Sequence, residues 1–579
     1  MKTRICLAIT VASLLGLAKV HSQSLFTKIT EGAIATDREA SFMSVWWDYD
    51  NDGWLDLFVA NQDYSAGPQT HSLYHNLRDG TFDKVTNTTT TVSTDALAAV
   101  AADFDNDGDE DLFVCRHNAL DDCFRNDGNG VFTRLTQAQF GRPVADGSIS
   151  HDAAWVDYDR DGFLDLFVVN GFPATENDCL YRNNGSGLFI KMTAGQVGPI
   201  VSDQATTSAS SWADYDNDGY PDAWVERWTG SGFLYHNGGL DAPGFFTLAT
   251  EGSIPRENSR AAGQWVDYDN DAWLDLFVAG SSEGRTNSLH RNAGGLAFTD
   301  VAASAGLAQK NYAWASAWGD YDNDGWQDLF VAAFENRTNV FYRNRGDGTF
   351  ETLDIGSPLL DGNQRASVSW AHYDNDGFLD LLITCGNGTR LPNHLYRNKG
   401  PGIGNANHWL KVKLVGRASN RSGIGAKIRV KATIAGTELW QMREISGNSE
   451  FGGSTGRLAH FGLGDATKAD LVWIEWPSGI RQELTDVPAG QPGQPPLEIV
   501  EHCTDCTEAP RFTGATPSPA GLELTITESA SFIGYMLEAS TDLATWTKLM
   551  ARAGTRSQYQ WTDSQATNFP VRFYRLVVP

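Results

Sequence analysis

Residues 48–59 read DYDNDGWLDLFV. Asp48, Asp50, Asp52 and Asp56 crowd four carboxylates into nine positions, and the chain then turns apolar at Leu57-Phe58-Val59. Counted from the first Asp, carboxylates stand at positions 1, 3, 5 and 9, with Gly53 at 6. Alternate residues point inward around one centre when the backbone curls. Gly at 6 permits the sharp turn, and the carbonyl at 7 adds an oxygen. Such a shell of about six or seven hard oxygens suits Ca²⁺ better than Zn²⁺ or copper; Mg²⁺, which keeps its waters, ranks second. An EF-hand needs Glu at position 12 and flanking helices, whereas position 12 here is Val59 in a strand-like run. A bare acidic turn is disfavoured, because like charges this close repel unless a cation sits among them.

The loop recurs six times at intervals of 52 to 57 residues. The second set is Asp103, Asp105, Asp107 and Asp111; the third is Asp157, Asp159, Asp161 and Asp165. The fourth is Asp214, Asp216, Asp218 and Asp222, and the fifth Asp267, Asp269, Asp271 and Asp275. The sixth is Asp320, Asp322, Asp324 and Asp328; the seventh keeps Asp374, Asp376 and Asp380 but has His372 at position 1. Unit 5 carries Ala272 where Gly belongs. These departures predict weaker cation binding in units 5 and 7. Seven filled sites would move the formal charge from −28 to about −14.

A fixed period of this size signals a solenoid, a propeller or an array. Each unit holds four short β-type runs between turn residues: one before the loop, one after it, one ending in Asn, and one after a Gly-rich turn. Four strands per unit is the pattern of a propeller blade. The segment LFTKIT at 25–30 matches a fourth strand, and the last unit supplies only three. The N-terminal strand is therefore expected to complete the seventh blade and so remove exposed edges. A Trp two places before the loop (Trp46, Trp155, Trp212, Trp265, Trp318, Trp370; Ala101 in unit 2) is expected to pack between blades.

At these residues the sequence resembles the FG-GAP/VCBS repeat family, the seven-bladed propellers that include the integrin alpha-subunit head. The resemblance covers about 25–404 and implies Ca²⁺ on the loop carboxylates. Residues 407–501 contain NHWLKVKLVG, REISGNSEFGG, HFGLG and VWIEWPSG. They are similar to the ASPIC/UnbV domain, found after such repeats in the cartilage acidic protein family. Arg443, Glu444 and His460 draw the eye as catalytic candidates, but pairing within a β domain is the reading preferred for them. The resemblance supplies no chemistry to carry over.

The expected organisation is all-β. A signal peptide spans 1–22, a seven-bladed propeller 24–404, an ASPIC/UnbV domain 405–502, a linker with a Cys pair 503–510, and a small β-sandwich-like module 511–579. Lys2 and Arg4 precede an apolar run from Ile5 to Leu17, with Val20 and Ser22 placed for cleavage, which predicts export. Export permits disulfides, and Cys115–Cys123 and Cys503–Cys506 are the near pairs; Cys179 and Cys385 lie far apart. The acidity argues against nucleic acid and anionic membrane surfaces. No G-x-S-x-G, H-E-x-x-H or phosphate loop appears. The sequence thus predicts an exported, calcium-stabilised scaffold that recognises proteins or glycans and is no enzyme. The alternatives are a calcium-dependent polysaccharide lyase or hydrolase, and an envelope structural protein.

Overall fold

The computed structural model describes residues 25–577 apart from 64–68, 87, 92, 118, 148, 172–175, 229, 250–253, 255–262, 282–283, 295–296, 335–336, 362–364, 387–389, 401–406, 449–456, 503–510, 519–520, 528–534, 542–546, 553–557, 564–565 and 567–571. The expected signal peptide and the Cys503–Cys506 pair lie outside the described residues.

Period-2 alternation and turn residues make each repeat a four-stranded antiparallel sheet, and there are seven of them. In blade 1 the strands are Ser41–Trp47, Asp56–Asn61, Ser72–Asn76 and Phe82–Val85. The acidic loop joins the first strand to the second. The first strands of blades 1 to 4 are buried along their whole length, as in SFMSVWW and TSASSWA. They pack side to side, and that of blade 1 meets that of blade 7. The seventh blade is completed by Phe26–Lys28, which pairs antiparallel with His394–Asn398 through Phe26↔Asn398 and Lys28↔Tyr396. The ring therefore closes as the sequence predicts, with the first ordered strand in the last blade.

The recurring Trp joins neighbouring blades. The indole N–H of Trp370 donates to the Ala317 carbonyl at 3.1 Å, and that of Trp46 to Ser369 Oγ at 3.0 Å. Trp155 stacks on Phe104 of the preceding blade, and Trp265 on Tyr215.

Beyond the ring, residues 408–500 form a four-stranded sheet and a three-stranded sheet. The latter pairs His408–Val415 antiparallel with Leu458–Gly464 and parallel with Leu497–Val500. One continuous apolar cluster runs from blades 1–3 (Trp47, Phe104, Trp155) into this domain (Leu410, Ile428, Trp476). Residues 511–577 add two three-stranded sheets. Among the described residues no helix is long and apolar enough to cross a membrane.

The expected Cys115–Cys123 bridge is corrected: both thiols are free and buried. The register sets Cys123 opposite Phe113, so Cys115 lies diagonal to it. Diagonal partners stand about 7–8 Å apart, beyond the usual disulfide span. Cys179 is also free and buried, and Cys385 is buried.

Candidate metal-binding ring and its cap

In blades 1 to 6 the position-1 carboxylate holds the acidic loop closed. Asp48 Oδ1 accepts the Asp52 N–H at 2.8 Å, and its Oδ2 accepts that of Gly53 at 3.0 Å. Asp103, Asp214, Asp267 and Asp320 do the same in their loops. The curl this produces puts position 6 at positive φ, +86° at Gly53 and +103° at Gly108. Ala272 adopts +68°, a region where a Cβ is strained, as the sequence reading anticipates.

The position-9 carboxylate is fixed from the third strand. Asp56 Oδ1 accepts the Asn76 N–H at 2.8 Å, and the equivalent bond recurs in every blade, ending with Asn398 to Asp380. The remaining oxygens face inward. Oδ1 of Asp50, Asp159, Asp269 and Asp322, and Oδ2 of Asp165, Asp222, Asp275 and Asp380, are buried and have no hydrogen-bond partner. Asp48, Asp50 and Asp56 each bring an oxygen within 4.8 Å of the others, as do Asp157, Asp159 and Asp165. Burial is the leading cause of the raised pKa values of Asp48, Asp50, Asp56, Asp157 and Asp165. Asp48 is pushed up to about 6, Asp267 and Asp324 to about 7 and Asp56 to about 9, with neighbouring carboxylates adding to the effect. Asp165 and Asp380 are raised well above the ordinary carboxylate range for the same reasons.

Three further groups of residues complete the ring, and the sequence reading gave none of them a role. First, in six blades an Arg or His precedes the third-strand Asn and pairs with carboxylate oxygens of the loop, whereas Arg125 of blade 2 pairs with Asp127. Arg182 lies 2.7 Å from Asp159 and 2.8 Å from Asp161, and Arg291, Arg343 and Arg397 repeat this. His75 and His236 take the place in blades 1 and 4. Second, the side chain of the third-strand Asn spans two blades. Asn76 Nδ2 donates to the Leu55 carbonyl in its own loop and to Tyr373 in blade 7, at 3.0 and 2.7 Å. Its six counterparts reach the preceding loop in the same way. Third, the position-4 Asn sits at positive φ and donates from Nδ2 to the position-6 carbonyl of the next loop. These bonds are Asn51 to Gly108, Asn106 to Gly162, Asn217 to Ala272, Asn270 to Gly325, Asn323 to Gly377, and Asn375 back to Gly53. Blade 3 has Arg160 there instead. The seven loops thus form one girdle on one face of the ring. The recurrent Asn at position 4 was the sequence signal for it.

The domain at 408–500 sits on that face. Lys427 Nζ donates to Asp214 Oδ2 at 2.7 Å and to Asn217 Oδ1 at 2.5 Å, while Lys411 Nζ reaches Asn375 Oδ1 at 2.6 Å. The Arg421 N–H donates to Asn106 Oδ1 at 2.8 Å. His460 Nε2 donates to Asn323 Oδ1 at 2.7 Å, and its Nδ1 receives His372 Nε2 at 2.9 Å. This proton arrangement follows from the Asn323 amide, whose Nδ2 is spent on Gly377. Both imidazoles are held neutral, since burial drives their pKa values down. Glu444 accepts the Asp214 N–H at 3.2 Å. Arg443 feels Asp320 and Asp267. Pairing within the 408–500 domain holds for Arg443, which donates to the Met442 carbonyl, and for Glu444, 4.0 Å from Lys427; Glu444 and His460 also reach across to the propeller, because their strands lie on the acidic side of the ring.

An FG-GAP-like repeat model matches residues 48–114, 107–168, 157–225, 267–331 and 320–383, and an ASPIC and UnbV model matches 416–501. The chain belongs to the FG-GAP-repeat family. Its FG-GAP ring and ASPIC/UnbV cap have relatives in cartilage acidic protein 1. The mouse protein is 23% identical over 514 residues, spanning 79% of this chain and 74% of its own length. The human one is 25% identical over 432 residues, spanning 66% and 60%. Among solved structures, the BBS1N–ARL6DN complex aligns at 12% identity and TM-score 0.39, over 65% of this chain and 98% of that one. The V. cholerae biofilm matrix protein Bap1 aligns at 11% identity and TM-score 0.36, over 63% and 88%.

Proposed function

We propose that the protein is an exported recognition scaffold whose seven FG-GAP loops bind Ca²⁺, that the metal is mainly structural, and that the protein is not an enzyme. The observation that carries the metal reading is the set of buried carboxylate oxygens that converge without partners. They are hard donors, they are acceptor-only once ionised, and burial makes ionisation costly until a cation arrives. The residues that would hold it are the position-3, -5 and -9 aspartates with position 1, joined by the position-7 carbonyl. The bound ion would supply charge neutralisation. The chain's own Arg182, Arg291, Arg343 and Arg397 neutralise only the outward oxygens.

Glu444 and His460 are committed to the contact between ring and cap, which supports a scaffold over a catalytic set. The loops between the other strand ends are the natural recognition surface, for protein or glycan partners. Metal counting on protein dialysed against calcium, followed by calorimetric titration, tests the reading. Up to seven ions per chain are expected. Fewer than three, or uptake unaffected by Asp165→Asn and Asp275→Asn, would overturn it.

A further inference from the structure

Where the cap meets the ring there is a partly open cavity of about 170 Å³. That is room for several waters but less than a drug-sized ligand needs. Its walls include Trp212 and Trp318 of the ring, Arg443 and Arg457 of the cap, and the position-1 carboxylates Asp267 and Asp320.

Four of the five unpaired groups on these walls are donors, and the fifth, His372 Nδ1, is an acceptor. Arg443 Nη2, Arg457 Nε, Trp212 Nε1 and Trp318 Nε1 are buried N–H donors with no partner. No buried oxygen of the described lining residues is left in that state. Asp267 and Asp320 already accept two amides each from their own loops. Arg457 is paired with Glu110, but Arg443 makes its hydrogen bond to the Met442 carbonyl and rests over the Phe461 ring. Water would supply acceptors for these donors, yet each water brings two hydrogens that need acceptors of their own. An oxyanion brings acceptors alone, and a guanidinium fork is their preferred partner.

We propose that this cavity binds a small oxyanion, a carboxylate or tetrahedral anion, through the Arg443 fork and the indole N–H groups of Trp212 and Trp318. The proposal rests on the calcium reading in one respect. With loops 5 and 6 filled, Asp267 and Asp320 are compensated by metal and Arg443 is left as the uncompensated charge.

The test uses the full chain in saturating calcium, titrated with sodium acetate or sodium sulfate against sodium chloride at matched ionic strength. Tryptophan emission and the unfolding temperature are read. A saturable emission change and a raised unfolding temperature with the oxyanions alone are expected, both lost in Arg443→Met. Trp318→Phe should weaken binding roughly tenfold. An identical response to chloride, or a response unchanged in Arg443→Met, overturns the proposal. If Arg443→Met does not fold, a selenate-soaked crystal of the native chain decides: an anomalous peak in the cavity supports the site and its absence overturns it. Calcium counted on the same sample separates the two readings. Calcium uptake without an oxyanion response sinks the cavity site alone, and an oxyanion response without calcium uptake sinks the calcium reading.

Discussion

Replacing Asn76 by alanine probes the closure of the ring. Its carboxamide is fully buried. Nδ2 donates at 3.0 Å to Leu55 and at 2.7 Å to Tyr373, and Oδ1 accepts the Arg78 N–H at 2.9 Å. Alanine removes all three bonds. At about 0.5–1.5 kcal/mol each the loss is about 3 kcal/mol, a large share of a typical stability of 5–15 kcal/mol. At roughly 2 °C per kcal/mol for a domain this large, the unfolding temperature should fall by about 6 °C. Scanning calorimetry in saturating calcium measures it. Asn237 makes the same three bonds between blades 3 and 4, so Asn237→Ala should cost about as much. Asn76→Asp should be worse than Asn76→Ala, because it turns a carboxylate toward two carbonyls. A loss below about 1 kcal/mol for Asn76→Ala, or an aspartate better tolerated than alanine, would refute the view that these side chains bind the blades together.

Other expectations concern metal, pH, the cap and export. In chelator, unfolding temperature should fall as pH rises from about 4 to 7. The raised carboxylates, such as Asp48 at about 6 and Asp267 at about 7, keep protons in the fold that the unfolded chain has released, so stability is lost as they ionise. Calcium should abolish or reverse that slope, and a fall that is the same with and without calcium would contradict it. Gly377→Ala should cost several kcal/mol by chemical denaturation: its φ is +103°, and a Cβ would stand 2.1 Å from the Trp409 ring. Lys427→Met leaves Asp214 and Glu444 without their buried cation and should loosen the cap by about 3–5 kcal/mol, read as faster proteolysis of residues 408–500. N-terminal sequencing of exported protein should begin after Ser22.

The blade count, strand order and closure by Phe26–Lys28 were legible because they rest on local patterns. Period-2 runs, a repeated loop and a missing fourth strand can each be seen in one dimension. Ala272 was legible for the same reason, since a positive φ is a property of one residue. The cap's placement was not. Lys411 and Lys427 read as ordinary members of alternating strands, and only the crossing of two sheets onto the ring shows which carboxylates and amides they meet. The girdle lies between these cases. Its Asn residues stood in the sequence at a fixed position, but a side chain that bonds to the next blade has no signature until neighbouring blades are known. Arg443 and Glu444 invited a catalytic reading because buried ion pairs and active sites draw on the same residue types.

The pairing of Phe26 with Asn398 also sets an order of events. The first strand to emerge from a ribosome or an export channel has its partner in the last blade. At roughly 5–20 residues per second, synthesis of the chain between them takes on the order of half a minute. Through that interval the third strand of each new blade can find its second, but the ring has an open edge at both ends. A sheet edge held open that long invites pairing with other chains. Closure is a single, late, long-range step, and the compartment in which residues 25–30 wait for it decides whether this molecule becomes a ring or an aggregate.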